Sequence, residues 1–232
     1  MPITQQQKTK ILQVVNVFET GTIEGDYANI SIYADGPTVN GAKVKQITYG
    51  RSQTTEFGNL KALLQQYVAT PGALYAATIQ PYINSVGKHP SLHTNAAFKK
   101  ALKDAGKLDP IMLTVQDSFF DQLYYQPAIT WFTGMKFTTA LSLLVIYDSF
   151  IHSGGILSFL RERFTEEVPK NGGDEKKWIK QYVNVRHEWL ANHSNTILRN
   201  TIYRTECFKD AIAKSNWDLV KTLKANGTDV PK

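Results

Sequence analysis

From residue 56 to residue 215 of this 232-residue chain, apolar side chains recur almost throughout at spacings of three and four. That periodicity belongs to helices that bury one stripe and wet the other. It predicts helices near 56–68, 76–86, 96–105, 111–125, 138–153, 156–164, 176–192 and 195–215. Turn-forming stretches separate them: Thr70-Pro71-Gly72, His89-Pro90, Asp109-Pro110 and residues 168–174. The tail after Asn216 reads as loosely attached. An earlier helix is predicted from about Thr4 to just before Gly21, with Ile11, Leu12, Val14, Val15 and Phe18 on its inner face. Glu19 lies four residues beyond Val15 and continues that ridge. Two readings stay open for it. A carboxylate at the rim of a core loses hydration, which favours its protonated form; a glutamate in a frayed last turn simply faces solvent.

One stretch departs from the helical period. Ile30, Ile32 and Tyr33 alternate as a short strand, Asp35-Gly36-Pro37 forms a turn, and residues 44–49 read as the returning strand. Gly50-Arg51-Ser52-Gln53-Thr54-Thr55 is a polar loop. The expected class is therefore α+β and mostly helical, a single catalytic domain over 1–232 with a small β lobe around 22–55 and a helical remainder. A helix ending in Glu followed by a hairpin carrying Asp resembles the layout of lysozyme-like enzymes, two-lobed proteins with a cleft between the lobes.

Composition narrows the function classes. The chain is 42% apolar and 20% charged, ordinary for a globular domain. A single cysteine, Cys207, leaves no intramolecular disulfide and reads as a small buried apolar group. No apolar run reaches membrane-spanning length, and residues 140–146 read as a core helix. The start, Met1-Pro2-Ile3-Thr4-Gln5, lacks the apolar segment of a signal peptide, which fits either a cytoplasmic protein or a mature form. The net charge of +6 raises the prior for polyanions. The distribution opposes it: between Lys10 and Lys43 there is no Lys or Arg, yet Glu19, Glu24, Asp26 and Asp35 fall there. Such a patch attracts cations. The five histidines show no zinc spacing, and neither a phosphate loop nor a serine-hydrolase elbow occurs. His152 reads as a hydrogen-bonded structural group.

Three motifs in fixed order sharpen this. Val17-Phe18-Glu19-Thr20-Gly21, Tyr33-Ala34-Asp35-Gly36 and Ile47-Thr48-Tyr49-Gly50-Arg51 resemble glycoside hydrolase family 46, the chitosanases. Val115-Gln116-Asp117, the stretch 124–128, and Ile146-Tyr147-Asp148-Ser149 leading to His152 and Gly154 extend the resemblance, as do Arg186, Arg199 and Arg204. Two departures mark a divergent branch. The family's Asp-Gly-Arg-Gly is Asp35-Gly36-Pro37-Thr38 here, with a longer insert to Lys45, and Thr20 replaces the family's Asn.

The resemblance implies endo-hydrolysis of β-1,4-linked glucosamine polymers with inversion. An inverting glycosidase needs one carboxyl to protonate the leaving oxygen and one carboxylate to activate water. Glu19 suits the first task and Asp35, in a polar turn, the second. Thr48 matches the family threonine that positions the water, or is an ordinary strand threonine. Asp148, in the middle of an apolar helix, requires a partner; with Arg186, Arg199 and Arg204 it resembles a supporting charge network. Chitosan is a polycation, so Glu24, Asp26 and Glu56 are candidate ammonium-binding groups, Glu56 alternatively a first-turn capping residue. Tyr27, Tyr33 and Tyr49 are candidate stacking faces, and Arg51 a further substrate contact. The expectation is a secreted monomer acting on a cationic polysaccharide, with no cofactor, metal, nucleic acid or membrane partner. A peptidoglycan- or chitin-cleaving relative, and a non-enzymatic polyanion-binding module, remain the alternatives.

Overall fold

The computed structural model describes residues 2–51 and 53–231. Met1 of the N-terminal reading and Ser52 of the polar loop lie outside the described residues, as does Lys232. The architecture is α+β and mostly helical, as expected. The chain opens with α1 (Gln5–Thr20) and then β1 (Ile30–Tyr33), β2 (Thr38–Val39), β3 (Ala42–Lys43), β4 (Gln46–Tyr49) and β5 (Thr54–Thr55). Helices follow: α2 (Leu60–Ala69), α3 (Ala76–Ile79), α4 (Ala96–Leu108), α5 (Pro110–Phe120) and α6 (Gln126–Gly134), with a π-helical segment Asp121–Tyr125 joining the last two. Then come α7 (Ala140–Ser153), α8 (Ser158–Arg161), α9 (Glu175–Ala191), α10 (Thr196–Arg199) and α11 (Tyr203–Ala213), and finally the strands β6 (Leu223–Ala225) and β7 (Thr228–Val230).

These elements form two compact units. The first joins residues 1–24 to 122–232; the second is residues 25–121.

In the first unit α1 begins with a capping box between Thr4 and Gln7 and stops at Gly21, whose φ of +78° is a conformation glycine adopts without strain. Its stripe of Ile11, Val14, Val15 and Phe18 enters a core built on α7, where residues 140 to 149 are all buried. Glu175 ties α9 to the start of α7, its carboxylate accepting from the hydroxyls of Thr138, Thr139 and Ser142. Aromatic rings of Trp131, Phe137, Phe164, Trp178 and Tyr182 pack as one cluster. Cys207 is buried at 3% exposure, and burial pushes its thiol up to about 12, which suits the apolar reading.

The tail is a correction. Residues after Asn216 are not loosely attached: Trp217, Leu219, Leu223, Ala225 and Val230 belong to the buried core. The hairpin β6–β7 pairs Leu223 with Val230 and Ala225 with Thr228. Lys10 Nζ donates to the Lys221 carbonyl at 2.7 Å and Gln7 Nε2 to that of Asp218, which closes α1 onto the tail.

In the second unit β1, β4 and β5 form an antiparallel sheet in the order β1-β4-β5, with Ser31 opposite Thr48 and Tyr33 opposite Gln46. The returning strand starts two residues later than expected because the insert folds separately. Its Asn40-Gly41 pair, both at positive φ, turns β2 into β3. Helix α2 begins at Leu60, not near residue 56, because Glu56 is drawn into the core as described below. The expected helix 76–86 shortens to α3 and a 3₁₀ turn at Pro81, and 195–215 divides into α10 and α11. Helix α6 was not anticipated.

If the tail is integral, Leu223→Ala should lower unfolding stability by about 2–5 kcal/mol, as for other buried leucines. Urea denaturation measures it, and an unchanged midpoint would return the tail to the periphery.

Candidate active site

Glu19 lies in the last turn of α1, its side chain 11% exposed. Oε1 accepts from Arg204 Nη2 at 2.6 Å, and Oε2 has no partner among the described residues. The rim reading thus fits better than a glutamate frayed into solvent. Arg204 is buried on α11 under the rings of Phe18 and Tyr203, and its other terminal nitrogen donates to Asp148 Oδ1 at 2.6 Å. Asp148 Oδ2 accepts from Arg186 Nη1 at 2.7 Å. Asp148 and Arg186 are both fully buried, so the pair is compensated only by each other and by Arg204. Burial pushes the Asp148 carboxyl up, but Arg186 and then Arg204 outweigh it and hold it below the usual carboxylate range. For Arg204, burial favours the neutral form, and Glu19 and Asp148 override it, raising the guanidinium further.

Arg199 is not part of this network. It sits on the short helix α10, where its guanidinium donates to the carbonyls of His193 and Ser194 and to Thr196. His152 joins instead: its Nδ1 faces Arg186 Nη2 at 3.3 Å. Because an arginine only donates, Nδ1 is the acceptor and Nε2 carries the proton.

Asp35 is exposed in the second unit, between β1 and β2, in a pocket of about 380 Å³ lined also by Gly36, Lys43, Gln46, Thr55 and Phe57. Gly36 is required there, since a Cβ would stand 2.8 Å from the Val44 carbonyl. Gln46 Nε2 donates to Asp35 Oδ1 at 2.9 Å, and Oδ2 has no partner among the described residues. Strand alternation puts Gln46 and Thr48 on one face of β4 and the core residues Ile47 and Tyr49 on the other. The Thr48 hydroxyl is buried with no hydrogen-bond partner among the described residues.

The remaining candidates divide by burial. Glu24, Asp26 and Tyr33 are exposed, Tyr33 at 47%. Three substrate contacts expected from the sequence are corrected. Glu56 is fully buried, its carboxylate accepting from the amides of Ile47 and Leu92 and from the Ser91 hydroxyl, so it braces the sheet and meets no ligand. Tyr49 is fully buried and donates to the Leu102 carbonyl. Arg51 is 5% exposed and pairs with Asp117 at 3.0 Å. Tyr27 also loses its stacking role: its hydroxyl donates to Asp117, and Arg51 lies against its ring. Burial and then that hydrogen bond push its phenol up to about 12. Gln46 was not singled out from the sequence; its place in phase with Thr48, on the polar beat of the returning strand, was the available signal.

Comparison with known proteins gives a consistent picture. The family model of glycosyl hydrolase family 46 matches residues 13–223. A chitosanase of Bacillus subtilis (strain 168) is 27% identical over 232 aligned residues, covering 94% of this chain and 80% of that protein. The crystal structure of a native chitosanase from Bacillus subtilis MY002 superposes with a TM-score of 0.78 at 25% identity, over 99% of this chain and 100% of that one. The family 46 chitosanase of Gynuella sunshinyii, solved in complex with chitotetraose, shares the fold with a TM-score of 0.80 at 22% identity, over 99% of this chain and 98% of the other.

His152 supplies a pH-dependence. Burial, then the charges of Arg204 and Arg186, push its imidazole down from 6.5 to about 3. A depressed group takes up its proton in the unfolded chain first, so its contribution is complete above about pH 6.5 and is lost as pH falls toward 3. His152→Asn keeps an acceptor where Nδ1 stood but cannot titrate. It should lose less stability than the parent between about pH 7 and about pH 4 in urea titrations. Parallel losses would contradict the assignment.

Proposed function

This chain belongs to glycosyl hydrolase family 46, and from that premise we propose that it is an endo-acting chitosanase, hydrolysing β-1,4 glucosamine linkages with inversion. The observation that carries the reading is Glu19: a carboxyl anchored through one oxygen by a buried ion network, with its second oxygen unengaged among the described residues, inside the family match. The unengaged Oε2 gives its proton to the glycosidic oxygen as the bond breaks. Asp35 is anchored in the same manner through Oδ1, and its Oδ2 takes a proton from the attacking water. Thr48, whose hydroxyl has no partner among the described residues, holds that water. A buried hydroxyl left unpaired by the protein needs such an explanation.

Asp148, Arg186 and Arg204 act through Glu19. Arg204 is shared by two carboxylates, so it fixes the position of Glu19 while part of its charge is spent on Asp148. Glu24 and Asp26 are the exposed carboxylates of the acidic stretch and meet the substrate's ammonium groups; Tyr33 offers a ring to a sugar face. A protein of net charge +6 binds a polycation only where such local acidity exists. The substrate is a polymer too large to enter a cell, so the enzyme meets it outside, as a single chain.

Glu19→Gln should abolish most activity on fully deacetylated chitosan, by about 10²–10⁴-fold in kcat, with Asp35→Asn nearly as damaging and Thr48→Ala milder. Reducing-end release and the anomeric configuration of the first product, followed by NMR, test this. Wild-type turnover by Glu19→Gln would remove the acid assignment, and activity confined to cell walls or chitin would remove the substrate.

A further inference from the structure

We propose that Gln46 is a positioning residue for the base, setting the orientation of Asp35; this rests on the reading of Asp35 given above. Gln46 is a polar side chain at 4% exposure on a strand whose neighbouring positions are also buried, an unfavourable place unless both ends of the amide are used. Both are. The Phe57 amide donates to Oε1 at 3.0 Å, and Nε2 donates to Asp35 Oδ1 at 2.9 Å.

The first bond decides the second. A backbone N–H can only donate, so the end of the Gln46 amide facing Phe57 is the carbonyl, and the end facing Asp35 is necessarily the NH₂. The rotamer is thus locked from the β5–α2 connection, and the carboxylate meets a fixed donor. A fixed donor to one carboxylate oxygen pins the carboxyl plane. It leaves Oδ2 as the basic atom. The register reinforces this: Gln46 pairs with Tyr33, two residues before Asp35, so the strand that carries the donor also sets where β1 releases the chain. Thr48 lies on the same face of β4 two residues on, so one strand presents both the group that aims the base and the hydroxyl assigned to the water.

The discriminating substitution is Gln46→Glu. It keeps an oxygen for the Phe57 amide and nearly the same volume, but replaces the donor with a second acceptor and a like charge. The acidic limb of the kcat/KM–pH profile should move to higher pH by about one unit or more, with activity on that limb down about tenfold. Gln46→Met, which removes the donor without adding a charge, should lower kcat severalfold and leave the limb where it is. In an Asp35→Asn background neither change should lower the residual rate further, because the group they act through is gone. Thermal melts accompany each variant. A folded Gln46→Glu enzyme with the parental profile, alongside an inactive Asp35→Asn, overturns the role of Gln46 and leaves Asp35 standing. Wild-type turnover by Asp35→Asn overturns the function reading instead. If neither Gln46 variant attains the native fold, Gln46 is only a brace of the sheet and the proposal is withdrawn.

Discussion

A carboxylate with no access to water, Asp148, is the constraint around which the first unit is arranged. It sits in the middle of α7 among leucines, valine and isoleucine, where an unpaired charge would cost several kcal/mol. Arg186 from α9 and Arg204 from α11 each occupy one of its oxygens, and Arg204 goes on to Glu19 at the end of α1. Four helices are therefore registered by one line of charge. Apolar residues of similar volume could pack those positions with equal or greater stability. What they could not do is hold a carboxyl at the rim of the core with one oxygen fixed and the other open.

The second unit reaches a similar end by neutral means. Asp35 is exposed, so it needs no counter-charge, and a single amide aims it. The same physical problem, holding one oxygen of a carboxyl while sparing the other, is solved by a guanidinium where the site is dry and by a glutamine where it is wet. The sheet behind Asp35 is braced from within. Glu56, Gln116 and Tyr49 are buried polar groups whose hydrogen bonds run to backbone groups of neighbouring segments.

Much of this was legible in the chain. Helices α1, α4, α7 and α9 have long apolar stripes with capping residues at their ends, and they fall where the periodicity put them. Helix α6 escaped because only two of its residues are buried, which leaves it a short apolar stripe between Pro127 and Gly134. The C-terminal hairpin escaped because Leu223 and Ala225 alternate with exposed Lys224, and a short period-two segment among lysines reads as polar coil. At the site, an aspartate in an apolar helix announced that it must be paired, but not which of three arginines would reach it; Arg199 was lost to the geometry of a four-residue helix. Tyr49, Arg51 and Glu56 were misjudged for a shared reason. Residue type does not reveal whether a polar tip ends in solvent or on a backbone group two elements away.

The closure of α1 onto the last hairpin bears on how such a chain folds. The helix that ends in Glu19 is seated both on α7 and on Leu223, Ala225 and Val230, and the bond from Lys10 to the Lys221 carbonyl spans 211 residues of chain. Contacts of such long sequence separation form slowly, because the loop between them must close before they repay its entropy. The last turn of α1, with Glu19, therefore completes its surroundings late in folding, after the more local helix pairs of the same unit.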